Sequence, residues 1–242
     1  MTTFSAVLSR LLRTDPGRPL ITFYDHASGE RVELSVTTYA NWVAKTASLL
    51  SEEHELERGQ RLHVGLPAHW LGPVFLGAAW TVGLEVTLDG DPGALDAPPD
   101  AVVVGPEGLA PWGPRAAELP VLACSLRPLG ARFAEPLPAG VHDVGVDVWS
   151  QPDAFVTHDP PGDDDPARPG VTQGGLWEAA AAGSLLTDGG RLLTEANPAS
   201  PPGIASLVEP LARGGSLVLV SHADPGRLDA TYAAERATAR FP

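Results

Sequence analysis

The sequence has 242 residues, 43% of them apolar and 19% charged, which is enough to bury a substantial core. A formal net charge of -14, from 16 basic and 30 acidic residues, disfavours binding to nucleic acid and to anionic membranes. The absence of a signal-peptide pattern and of any long apolar run predicts a cytoplasmic protein without a membrane span. The single cysteine, Cys124, allows no intrachain disulfide.

The hydrophobic pattern predicts helices and strands that alternate along the chain. Helices are predicted at 4–12, 35–54, 70–82, 176–186, 204–211 and 227–240. Strands are predicted at 20–24, 31–34, 60–66, 84–88, 101–104, 120–123, 191–193 and 216–220. Turn residues after the first helix, between the first two strands and at Asp89–Pro92 separate these elements.

Several of these strands are apolar throughout, as in Ala101–Val104 and Ser216–Val220. Strands of this kind are typically covered on both faces, which predicts an α/β fold with a mostly parallel sheet flanked by helices. We expect residues 1–242 to form a single domain, with a candidate subdomain boundary in the loop-rich segment 127–153.

The segment Ala154–Leu176 has the order of a phosphate-binding turn, with a predicted strand at Ala154–Thr157, a Gly-containing loop and a helix opening at Thr172. Its loop nevertheless contains Asp159, three consecutive aspartates, four prolines and no lysine. Proline has no N–H to donate, and two like charges about 4 Å apart repel by about 1 kcal/mol even in water. ATP with Mg²⁺ is therefore not expected as a cofactor.

The three consecutive aspartates, Asp163, Asp164 and Asp165, are weak candidates for a Mg²⁺ or Ca²⁺ site, since these ions prefer oxygen ligands. No ligand-spaced pattern follows them, which favours a solvated surface loop. We therefore predict no metal site.

No nucleophile elbow, dinucleotide turn or Walker motif is present, and we predict no catalytic residue. Lys45, the only lysine, is expected on the solvated face of its helix. His63 is expected to be a satisfied strand residue and Cys124 a buried apolar one. We expect His158, beside Asp159, to be a surface residue. The alternative is a catalytic or metal-binding role.

Four segments, in their order and spacing, resemble the adenylate-forming superfamily of AMP-binding acyl-CoA synthetases. They are residues 15–21, 34–40, 59–67 with 83–89, and 189–193 with 211–220. The resemblance places the acidic loop where the family has its phosphate-binding segment YTSGTTGxPKG. It implies that Thr157 matches the first threonine, that Arg168 starts the xPKG end without its lysine, and that Thr172 opens the next helix, so these three are degenerate cofactor-binding positions.

The resemblance covers only the first part of the family's large domain, so it implies a truncated, divergent relative. The family's adenine-contacting segment, ribose-binding acid and carboxy-terminal domain with its catalytic lysine have no counterpart. The preferred hypothesis is a catalytically inactive protein with a ligand-binding or interaction role. The alternatives are an active adenylate-forming ligase completed by a partner chain or a metal, and a structural module for a basic partner.

Truncation of a sheet should leave an unfinished edge. We expect an exposed apolar patch around Ser216–Val220, covered by an unidentified protein partner or by a second copy in a homodimer.

Overall fold

The structure is a computed structural model that describes residues 2–89 and 97–241. Its α-helices are α1 (Phe4–Thr14), α2 (Val36–Ser48), α3 (Leu71–Val82), α4 (Leu109–Trp112), α5 (Val144–Asp147), α6 (Gln173–Ala181), α7 (Ala205–Ala212) and α8 (Pro225–Ala234). Its strands are β1 (Pro19–Asp25), β2 (Arg31–Ser35), β3 (Arg61–Gly65), β4 (Glu85–Leu88), β5 (Ala101–Val104), β6 (Val121–Ala123), β7 (Val141–Asp143), β8 (Pro166–Arg168), β9 (Val171–Thr172), β10 (Arg191–Thr194), β11 (Ser216–Ser221) and β12 (Ala239–Phe241). A π-helical turn at Leu49–Glu53 continues α2.

Two five-stranded sheets carry the fold. The first has the order β12-β10-β11-β1-β2, and its strands are parallel except for β2, which forms the predicted hairpin with β1. The second has the order β4-β3-β5-β6-β7 and is parallel throughout. The short strands β8 and β9 form a separate antiparallel hairpin. The predicted α/β fold with mostly parallel sheets is confirmed.

Helix α3 packs in the interior, as its mostly apolar sequence predicts. Every residue of α3 except Thr81 is buried. Its Gly77 lets Phe4 of α1 and Tyr39 of α2 approach closely, because a Cβ at position 77 would lie 2.7 and 2.6 Å from them. The Tyr39 hydroxyl donates to the Pro73 carbonyl at 2.9 Å, so a buried polar group is satisfied within this three-helix contact.

The predicted strand at Ala154–Thr157 is wrong. This segment has no strand partner, and Val156 is 83% exposed. A strand requires a neighbour for its backbone hydrogen bonds, and β7 already occupies the edge of the second sheet next to β6. β7 and α5 both lie within residues 127–153, which were expected to be mainly loop.

The predicted final helix is too long. Helix α8 ends at Ala234, and Arg236 has a positive φ of 50°, which a right-handed helix does not allow. The chain then returns to the first sheet, where the Thr238 amide donates to the Arg191 carbonyl and β12 pairs with β10.

The expected exposed patch at Ser216–Val220 is also wrong. β11 lies in the middle of its sheet, and Val218 and Val220 are buried in a cluster with Leu228 of α8. The chain therefore covers this surface with its own last helix.

Asp89 directly follows β4, and the rest of the turn predicted at Asp89–Pro92 lies outside the described residues. Within residues 2–89 and 97–241, none of the helices has the length and apolar character needed to cross a membrane.

Candidate functional site

Two of the three residues predicted to be degenerate phosphate-binding positions, Thr157 and Thr172, accept hydrogen bonds from the chain's own backbone. The Thr157 Oγ1 atom accepts from the Asp159 amide at 3.2 Å, and Thr172 caps α6 by accepting from the Gly175 amide at 3.1 Å. Arg168 lies half-buried in β8, opposite Val171 of β9. Arg168 and Thr172 thus share one hairpin, whereas Thr157 lines a separate surface hollow next to His158, which is exposed.

The carboxylates of the loop are bound to groups of the protein. Arg58 donates from Nε to Asp165 and from Nη1 to Asp159, each at 2.8 Å. The Asp163 Oδ1 atom accepts from the Thr2 amide at 2.7 Å, while Asp164 is exposed. In the part of the chain that the structure describes, no three His, Cys, Asp or Glu side chains are grouped as metal ligands would be.

These hydrogen bonds keep the Asp165 carboxyl group ionised. Burial alone would raise the pKa of its carboxyl group, but hydrogen bonds from Arg58 and from the Gly162 amide outweigh it and lower the pKa. Asp165 is therefore an ionised anchor of the loop and is only 13% exposed, which differs from the solvated loop expected from the sequence.

Lys45 also differs from its expected role. Its Nζ atom donates to the Gln151 carbonyl and lies 3.1 Å from the Asp153 carboxylate, and the side chain is only 18% exposed. The prediction of a solvated lysine is wrong, because the ammonium group fastens the segment after α5 to α2.

Two other expectations about single residues are confirmed. His63 is buried, with its ring nitrogens next to Thr87 Oγ1 at 3.1 Å and Asp89 Oδ1 at 3.2 Å. Cys124 is buried, and burial raises the pKa of its thiol, which opposes a role as nucleophile.

A cleft of about 780 Å³ lies between the two sheets. It lies outside the carboxyl ends of parallel strands of both sheets, where open α/β sheets usually bind ligands. Strand ends and the loops after them contribute Asp25, Gly65, Leu66, Asp89, Gly105, Asn197 and His222. Much of the remaining wall is formed by Phe23, Glu30, His69, Glu107, Trp112 and Leu126.

The acidic loop lies elsewhere. Its anchors, Arg58 and the Gly83 backbone next to Pro161, precede β3 and β4, so they lie at the amino ends of those strands. None of the loop residues lines the cleft among the residues described. The loop and the cleft are therefore two separate sites.

The cleft has an acidic lining. Asp25 and Glu30 are half-buried, Asp89 and Glu107 lie at its exposed rim, and none of its described lining residues is lysine or arginine. Burial would raise the pKa of Asp25, but hydrogen bonds from Ser28, the Ala27 amide and His222 lower it, so Asp25 stays ionised. For Glu30, burial and the nearby Asp25 charge raise the pKa, against the effect of a hydrogen bond from the Leu129 amide.

Two side chains of the lining have unused polar atoms. His69 is 4% exposed, its Nδ1 atom accepts from the Leu71 amide at 3.3 Å, and its Nε2 atom has no partner among the described residues. Burial lowers the pKa of His69 to about 4, so the ring is neutral and Nε2 carries the hydrogen. The buried Oε1 atom of Glu30 likewise has no partner in the described chain.

Sequence reasoning considered only degenerate binding positions in and around the acidic loop and did not find the cleft. A usable signal was present, because Gly65-Leu66-Pro67 ends one predicted parallel strand and Gly105-Pro106 directly follows another. The sequence could not show that the ends of two different sheets face one another.

The fold is that of acyl-CoA synthetases. The chain is similar to an acyl-CoA synthetase from Brucella canis, with a TM-score of 0.78 and 15% identity over 99% of this chain. It spans 47% of that protein, less than half its length. It is also similar to the N-terminal domain of FACL13 from Mycobacterium tuberculosis, with a TM-score of 0.72 and 14% identity over 98% of this chain and 62% of that one. These likenesses confirm the predicted relation to the adenylate-forming fold.

No protein-family model matches the chain. A similar protein identifies the family of the chain. The TIGR03089 family protein of Mycobacterium tuberculosis (strain ATCC 25618 / H37Rv) is 37% identical over 243 aligned residues, which cover 96% of this chain and 95% of that protein. The chain belongs to the TIGR03089 family.

Proposed function

We propose that this chain is a non-catalytic member of the adenylate-forming fold that binds a small molecule in the cleft and does not use ATP. The observation that carries the proposal is the arrangement of Arg58, which bridges Asp159 and Asp165 across the loop at 2.8 Å to each. A phosphate-binding loop needs backbone N–H groups and a cation directed at the phosphate. Here the cation next to the loop is paired with the loop's own carboxylates.

The surroundings of Thr157 support the same conclusion. The hollow that Thr157 lines also contains Asp159 and three glutamates, Glu52, Glu55 and Glu57. A triphosphate placed there would face four carboxylates and one arginine that is already ion-paired. Like-charge repulsion at short range opposes its binding.

The chain has no second lysine that could replace the lysine missing from the loop. Lys45 is the only lysine of the chain, and its ammonium group holds Gln151 and Asp153. Releasing it for catalysis would leave Asp153 without its partner and detach the segment after α5.

The cleft supports a binding role. A volume of about 780 Å³ is in the range of small-molecule sites, and its lining combines aromatic and aliphatic walls with a few polar groups. Unpaired buried polar atoms, such as His69 Nε2, reduce stability by about 1–3 kcal/mol unless a ligand or water pairs with them.

The test is calorimetry with ATP, with and without Mg²⁺, together with ATP–pyrophosphate exchange across a panel of carboxylic acids. We expect no binding heat up to about millimolar ATP and no exchange. Lys45→Met serves as the matched control, because any exchange that survives in it does not depend on a lysine.

Exchange catalysed by the pure protein would overturn the proposal. Micromolar ATP binding that depends on Mg²⁺ would also contradict it, since the aspartates would then recruit a metal to hold phosphate. That result would favour the alternative of an active ligase.

A further inference from the structure

The wall of the cleft is unusual in its charge. Four carboxylates line it, and no lysine or arginine stands among the described lining residues. An anionic ligand, such as a carboxylate or a nucleotide, would meet repulsion from several sides, whereas a cation would be attracted.

The positive groups near these carboxylates are few. His222 lies 2.9 Å from Asp25, and His63 lies 3.2 Å from Asp89, and each contact is an ion pair only when the histidine is protonated. The Arg115 guanidinium lies over the Trp112 ring and is paired with Glu118 at 3.1 Å. Among the described residues, none of these groups forms a hydrogen bond or an ion pair with Glu30, so they do not neutralise it.

A second observation points to a ligand independently of charge. His69 is more than nine-tenths buried, it lines the cleft, and its Nε2–H group has no acceptor in the described chain. The opposite ring nitrogen is fixed by the Leu71 amide, which fixes the tautomer as well. The site therefore offers one unused donor at His69 and one unused acceptor at Glu30 Oε1.

We propose that the cleft binds a small organic ammonium ion that also carries a hydroxyl or carbonyl oxygen. Glu30 accepts a hydrogen bond from the ammonium group, and His69 Nε2–H donates to the oxygen. Phe23, Leu66 and Trp112 provide the apolar wall for the body of the ligand. The inference rests on the proposed binding role of the cleft and adds the chemical class of the ligand.

The test uses three probes that share a phenyl ring and a hydroxyl group and differ in the terminal group. They are 2-amino-1-phenylethanol, which is a cation, 1-phenyl-1,2-ethanediol, which is neutral, and mandelate, which is an anion. Each carries the hydroxyl group that His69 requires. Ligand-observed NMR titration of the full chain should show that the ammonium probe binds at least about tenfold tighter than the diol, with mandelate weakest.

Three variants separate the contributions. Glu30→Gln keeps the shape of the side chain and an acceptor for Leu129, so it should reduce the preference for the cation over the diol by several-fold. His69→Asn retains an acceptor for the Leu71 amide, but its shorter side chain has no donor at the position of Nε2, so it should weaken both probes. Asp164→Asn removes an equal charge from the exposed acidic loop and should change nothing.

Several results would overturn the inference. They are mandelate binding as tightly as the ammonium probe, a cation preference that Glu30→Gln leaves intact, and no binding of any probe up to about 10 mM. If Glu30→Gln fails to fold, a measurement on the wild-type protein still tests the inference. Binding of the ammonium probe should then slow solvent exchange of the His69 Nε2–H proton, and an unchanged rate would count against the assignment.

The two proposals can fail separately. ATP binding by the same sample contradicts the proposed function, whatever the probes do. A preference for mandelate without ATP binding contradicts only the cationic ligand.

Discussion

Arg191 donates from Nη2 to the Oε2 atom of Glu235 at 2.5 Å, which joins the start of β10 to the residue that follows α8. The Glu235 carboxylate also accepts from Tyr24 and from Arg31, so three donors on three strands converge on one side chain that is 9% exposed. This network holds the last helix over β11, where the sequence predicts an exposed edge.

Removing the charge of Glu235 should loosen that helix. We expect Glu235→Gln to lower the free energy of unfolding by about 1–3 kcal/mol, because a largely buried Arg191 loses its ionic partner. Urea unfolding gives the change. Glu33→Gln is the matched control, since Glu33 pairs with the same Arg31 but is 37% exposed, and it should change stability by less than about 1 kcal/mol. Equal effects of the two substitutions would contradict the role of the network.

The close contact at Gly77 gives a second prediction. A methyl group there would lie 2.6 Å from the Tyr39 hydroxyl oxygen and 2.7 Å from a Phe4 ring carbon, so Gly77→Ala should destabilise the protein by about 1–3 kcal/mol through overpacking. Gly72→Ala on the same helix meets only Ala199 at 3.4 Å and should be nearly neutral. Thermal unfolding of both variants checks the prediction, which fails if Gly77→Ala is as stable as Gly72→Ala.

His69 should make stability depend on pH. Its pKa falls from about 6.5 in the unfolded chain to about 4 in the folded protein because burial opposes its charge. The unfolded state then binds a proton that the folded state does not, so stability is lost as pH falls from about 6.5 to about 4. The full effect is on the order of 3 kcal/mol.

His69→Asn should make the free energy of unfolding depend less steeply on pH. His54, whose pKa burial and His142 lower to about 4, remains in both proteins and keeps part of this dependence. Urea unfolding at several pH values compares the two slopes, and identical slopes would contradict the assignment to His69.

The contribution of Arg58 to stability should be lost at lower pH than that of His69. Because the pKa of Asp165 is lowered in the folded protein, its contribution is present above the unfolded value of about 3.9 and is lost as pH falls through the folded value. Arg58→Gln should therefore lower the melting temperature at about pH 7 and by less at about pH 3. Asp164→Asn should leave the melting temperature unchanged at both. A pH-independent effect of Arg58→Gln would mean that the arginine acts through packing and not through Asp165.

The fold was largely predictable because its signals are local. Continuous apolar runs such as Ala101–Val104 and the mostly apolar helix at 71–82 define buried strands and helices wherever their neighbours lie. The segment Ala154–Thr157 also has local β propensity, yet it forms no strand, because none of the described strands pairs with it. The end of α8 was missed for a related reason, since β12 exists only through its pairing with β10.

The sequence by itself determined the alternation of helices and strands, the acidic and lysine-poor character of the loop, and thereby the argument against phosphate binding. Only the tertiary structure decided that Arg58 pairs with Asp159 and Asp165, that Lys45 is held by Asp153, and that a cleft joins the ends of two sheets. The physical reason is distance along the chain. Arg58 and Asp165 are separated by 107 positions, and Glu30 and His69 reach one cleft from different parts of the sequence. Periodicity reports which face of an element is buried, but not which distant residue it meets there.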